Sequence, residues 1–87
     1  MRADHELVKK QLNIAKGQLE GISKMVDTDA YCIDISNQLL ATISLLKKIN
    51  QTIISAHLKG CVKDARNEEE LDKKLSEIDY LLKRSLF

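Results

Sequence analysis

The chain has 87 residues, no proline and three glycines, with 31% charged and 44% apolar side chains and a net charge of +1. That is enough for one small domain over residues 1–87, and the balance of 14 Lys and Arg against 13 Asp and Glu does not by itself announce a nucleic-acid partner. No apolar run approaches the roughly 18 residues of a membrane span, and Arg2 is followed at once by polar and charged residues, so no signal peptide is visible and a cytoplasmic location is expected.

The predicted elements are all helical. Leu7, Val8, Leu12, Ala15, Leu19, Ile22 and Val26 recur at steps of three and four, which predicts a first helix over 5–27 with Asp4 as its N-cap. Gly17 and Gly21, spaced by one turn, suggest that another helix approaches closely there. Asp27, Thr28 and Asp29 interrupt the pattern and are expected to cap a second helix, from about Ala30 to about residue 65. Its apolar surface is broad (Ile35, Leu39, Ala41, Ile43, Leu46, Ile49, Ile53, Ile54, Leu58, Val62). At about 50 Å long, such a helix cannot be covered by the rest of so short a chain, which argues for self-association. Asn67 followed by Glu70 resembles a capping box and opens a third helix, with Leu71, Leu75, Ile78, Leu81 and Leu82 on one face, to about residue 84. Three aromatic residues (Tyr31, Tyr80, Phe87) leave the core to aliphatic side chains.

The chemistry-bearing residues are Cys32, His57 and Cys61. His57 and Cys61 are one helical turn apart, and Cys32 precedes His57 by 25 residues, close to seven turns. All three then share a stripe of one helix, yet Cys32 stands roughly 37 Å from His57 at about 1.5 Å of rise per residue. Two such helices packed antiparallel bring Cys32 of one chain beside His57 and Cys61 of the other, and the two-fold axis makes two identical sites. In a reducing cytosol cysteines in this pattern point to metal or redox chemistry rather than a structural disulfide. Two thiolates and an imidazole suit a soft metal. Structural zinc takes four ligands, whereas Cu(I) accepts three. No carboxylate pair, nucleophile elbow or phosphate loop suggests an enzyme.

On these residues the chain resembles the copper-sensitive operon repressors (CsoR-type), a family that also includes nickel/cobalt, formaldehyde and persulfide sensors. The resemblance rests on Gly17-Gln18 and Gly21-Ile22, on Tyr31-Cys32-Ile33-Asp34 with Gln38, on His57-Leu58 and Cys61-Val62, and on Glu77. It implies an all-α, three-helix protomer, an antiparallel four-helix-bundle dimer, and a dimer of dimers that binds operator DNA. It further implies Cu(I) held by Cys32 from one subunit and His57 and Cys61 from the next, with release of DNA on binding. Tyr31 and Glu77 occupy the positions of the pair that hydrogen-bonds toward the histidine ligand. Cys61 argues against the nickel/cobalt branch despite the N-terminal His5, and His57 argues against the persulfide branch. A persulfide or thiol sensor using Cys32 and Cys61 is the next reading, followed by a copper-binding protein with weak DNA binding.

For DNA, the candidates are Lys9, Lys10, Lys16, Gln18, Lys47 and Lys48. The stretch before Gly17-Gln18 reads Gln11-Leu12-Asn13-Ile14-Ala15-Lys16, and position 20 is Glu20, where the family usually carries arginines. Lysines neutralise phosphates but lack the bidentate fork of arginine. The expectation is therefore a diffuse lysine surface on duplex DNA, with strong salt dependence. No helix-turn-helix is apparent.

Overall fold

A computed structural model describes residues 1–64 and 66–85, with the backbone alone for residues 61, 62, 82 and 85. It contains α1 (His5–Asp27), α2 (Cys32–Asp64) and α3 (Glu68–Ser85). Asp4 caps α1 as expected, its carboxylate accepting from the Glu6 amide at 3.0 Å and the Leu7 amide at 3.4 Å.

The residues expected to start α2 instead finish α1. The Thr28 hydroxyl donates to the Lys24 carbonyl at 3.0 Å. Asp29 takes a left-handed backbone, φ 56°. Its amide donates to the Val26 carbonyl at 3.1 Å, while the Ala30 amide reaches the Met25 carbonyl at 2.8 Å. This pairing is the Schellman arrangement, with an aspartate where glycine usually stands. α2 therefore begins at Cys32 rather than near Ala30, and its first carbonyl is that of Tyr31, which accepts from the Ile35 amide at 3.2 Å. At α3 the expected cap is present. Asn67 Oδ1 accepts from the Glu70 amide at 2.8 Å, and Glu70 Oε2 accepts from the Arg66 amide at 3.0 Å, one residue earlier than a reciprocal box would place it.

The short connection folds α1 back antiparallel on α2. Val8, Ala15 and Ile22 are buried along α1 at seven-residue steps, matched by Thr42 and Ile49 on α2, a coiled-coil-like seam. Near its open end Val8, Ile49 and Ala3 form a core cluster, with Leu45, Ile53 and Ala56 packed against it. The buried Thr42 hydroxyl donates to Gln18 Oε1 at 2.8 Å and tethers the middle of the two helices. α3 packs on the C-terminal half of α2, burying Ile54 and Ile78. Among the described residues α1 and α3 both pack on α2 and not on each other.

The result is a slab of 57 × 26 × 12 Å, about one helix thick. One layer cannot cover both of its faces. Leu12, Leu19 and Val26 of α1 and Leu39, Leu40, Ile43 and Leu46 of α2 stay exposed, at 41–59% of their full accessibility. The face predicted for α1 is thus split, half of it buried within the chain and half left outward. The close neighbour expected at Gly17 and Gly21 is not supplied by this chain, since nothing lies within 4 Å of where either Cβ would stand.

Candidate metal centre

All three candidate ligands belong to α2. Cys32 is its first residue, exposed and with a free thiol. His57 lies in its C-terminal half, beside α3. Cys61 continues the same helix one turn further on, but its side chain lies outside the described residues. With 25 residues of unbroken helix between them, Cys32 and His57 of one chain are held about 37 Å apart. Among the described residues no group of three or more His, Cys, Asp or Glu side chains gathers around a point. A single chain therefore does not bring Cys32 to His57.

The His57 end is built. Its Nε2 lies 3.5 Å from Glu77 Oε1 of α3, across a recess of about 270 Å³ lined by Arg2, Ile53, Ile54, His57, Glu77 and Leu81. His57 and Glu77 side chains are 37% and 57% exposed, so this is a partly solvated pair. A carboxylate on one ring nitrogen fixes the tautomer and orientation of the imidazole and turns the other nitrogen to a different partner. Two thiolates and this imidazole form a donor set suited to a soft ion.

The Cys32 end is bare by contrast. Tyr31 precedes α2, with its side chain 69% exposed. It stands at the opposite end of the helix from His57 and Glu77, so the two residues that the resemblance pairs do not meet within one chain. His5 opens α1 and lines a second recess with Met1, Glu6, Val8, Lys9 and Leu12, which shares only Met1 with the His57 recess.

The candidate DNA-contacting lysines Lys9, Lys10, Lys16, Lys47 and Lys48 are all exposed. Lys48 borders a shallow groove shared with Gln11, Gln51, Ser55, Ala56 and Lys59, and Lys59 is a basic residue that the sequence reading did not single out. Gln18 is half-buried and its side-chain carbonyl is engaged by Thr42, a role that only the folded pairing of α1 and α2 reveals. Two further residues near the site also escaped the sequence. Arg2 ion-pairs with Asp64 at the end of α2, and its side chain lies over Gly60, between His57 and Cys61.

Residues 4–84 match the family described as metal-sensitive transcriptional repressor. The chain belongs to that family. Among similar proteins is a copper-sensing transcriptional repressor, CsoR, of Mycobacterium ulcerans, 34% identical over 87% of this chain and 74% of the relative. RicR of Mycobacterium tuberculosis, also a copper-sensing transcriptional repressor, is 35% identical over 86% of this chain and 80% of its own length. The copper-sensing repressor CsoR of Bacillus subtilis is 28% identical over 93% and 80%. Among solved structures, the nickel-responsive transcriptional regulator InrS has the same fold, with a TM-score of 0.82 at 21% identity, covering 98% of this chain and 96% of that one. The family is one of transcriptional repressors and not of enzymes. No described helix is long and apolar enough to cross a membrane.

Proposed function

We propose that this repressor responds to Cu(I), binding operator DNA when metal-free and leaving it when Cu(I) is bound. The observation that supports the reading is the separation of Cys32 from His57 along one rigid helix in a protomer one layer thick. Each chain carries two half-sites that only an antiparallel second chain can complete. Cys32 of one subunit would join His57 and Cys61 of the other. Glu77 on Nε2 orients His57 with Nδ1 toward the ion, and Tyr31 of the neighbouring chain approaches the same pair. The exposed residues Leu39, Ile43 and Leu46 would become the seam of a four-helix bundle, and two dimers would form the tetramer. Glu77 belongs to α3 and His57 to α2, so ligation bears on how these two helices pack. DNA contact falls to the exposed lysines, with Gln18 beside them. By linkage, DNA must weaken Cu(I) affinity by the factor by which Cu(I) weakens DNA affinity.

Subunit mixing tests the reading. Cys32→Ser and His57→Ala each remove one ligand from both sites of a homodimer, and each alone loses tight Cu(I) binding and the thiolate-to-copper absorption band. Mixed and refolded together, half the dimers are heterodimers with one intact site, so about a quarter of the parent capacity returns. No recovery on mixing removes the cross-subunit site. Release from native upstream DNA, followed by gel shift at two salt concentrations, then tests regulation.

The exposed, free Cys32 thiol favours a second reading, in which Cys32 and Cys61 of different subunits are linked by persulfide chemistry. Persulfide treatment followed by intact mass would then show a covalent dimer, and DNA release that is indifferent to Cu(I). A protein that binds Cu(I) normally but shows no salt-dependent shift of upstream DNA is instead a copper-binding protein with little DNA affinity.

A further inference from the structure

Asp64 breaks a local rule. It closes α2, where the partial negative charge of the helix end disfavours a carboxylate and favours cations. A residue that conflicts with its own helix calls for a compensating contact from elsewhere. The chain supplies one, because Arg2 ion-pairs with Asp64 across 62 positions of sequence.

Three observations make this pair more than a surface contact. Ala3, next to Arg2, is 5% exposed and belongs to the Val8–Ile49 cluster, so the N-terminal arm is anchored in the core. The Arg2 side chain lies so close over Gly60 that a Cβ there would collide with it. Gly60 is a poor helix former, set in the turn between His57 and Cys61. Arg2 also borders the recess that holds His57 and Glu77.

We propose that Arg2 is a positioning residue for the metal half-site, a strap from Ala3 to Asp64 that holds the turn bearing His57 and Cys61 in helical form. This rests on the metal-site reading above, but its first consequence needs no metal. The strap replaces the helix stability that Gly60 and Asp64 take away, and it presents His57 and Cys61 at fixed spacing before a ligand arrives. The two charged side chains are 44% and 53% exposed, which sets its strength at that of a solvated pair.

Amide hydrogen exchange over residues 57–64 of the metal-free chain reads the strap directly. Arg2→Gln and Asp64→Asn each speed exchange about twofold to fivefold. The helix-end charge alone predicts the reverse for Asp64→Asn, namely slower exchange. Arg2→Asp combined with Asp64→Arg exchanges more slowly than Asp64→Arg alone, because the pair is rebuilt with its charges exchanged. Stopped-flow transfer of Cu(I) from the protein to a chelator speeds up in the same single variants by a similar factor, while the rate of loading is unchanged.

Exchange in Asp64→Asn at or below the parent rate, or no coupling in the charge exchange, overturns the proposal. A parent chain without a copper band overturns the Cu(I) reading, and the ordering of the turn is then decided by exchange alone. A normal band with parent-like release in both single variants leaves the Cu(I) site standing and overturns the strap.

Discussion

The two ends of α2 are the same helix in very different company. From Ile49 onward it is packed on both flanks, by Ala3 and Val8 on one side and by Ile78 on the other, and His57 there already faces Glu77. Around Cys32 it exposes Tyr31, Ile33, Leu39, Leu40 and Ile43. One end is finished by its own chain and the other presents a free thiol at the edge of an apolar face. That asymmetry is what an antiparallel pair needs, because it sets each finished end beside an unfinished one.

The contrast can be broken in graded steps. The largest effect is expected from Ile43→Glu, on the outward face. It leaves the protomer's own contacts in place but would bury a carboxylate twice in the proposed two-fold seam, weakening dimerisation by about a thousandfold or more in sedimentation. Ile49→Ala, in the finished half, acts on the fold itself and costs about 2–4 kcal/mol in denaturant unfolding. Glu77→Gln removes the carboxylate that orients His57 and weakens Cu(I) binding about tenfold in competition with a chelator, with unfolding unchanged. Thr42→Val deletes the buried donor to Gln18 and lowers stability by about 1 kcal/mol, an effect lost when Gln18→Leu is already present. The smallest change is a gain. Asp29→Gly relieves the left-handed backbone before the Cys32 end and raises stability by up to about 1 kcal/mol.

Much of this was legible in the residues. The apolar steps of α1 and α3 gave both helices nearly to the residue, since short amphipathic helices declare their period. The Cys32 and His57 spacing announced two side chains that one unbroken helix holds far apart. Asp29 was misread because Asp-Thr-Asp fits either end of a helix, and only the Ala30 and Asp29 hydrogen bonds decide between them. Leu12 and Val8 look alike in a periodic pattern, so which half of the face turns inward depends on where α2 lies. Thr42 with Gln18 and Arg2 with Asp64 are long-range pairs of ordinary polar residues, and no local pattern marks such partners in advance.

A protomer only 12 Å through has consequences for how much of this repressor a cell can keep. In the proposed dimer, pairing would add to the stability of each protomer, so the melting midpoint would rise with protein concentration. Copies without a partner would be the ones proteases reach first. Dosage would then have a built-in floor, below which the proposed pair no longer forms and silencing fails rather than weakens.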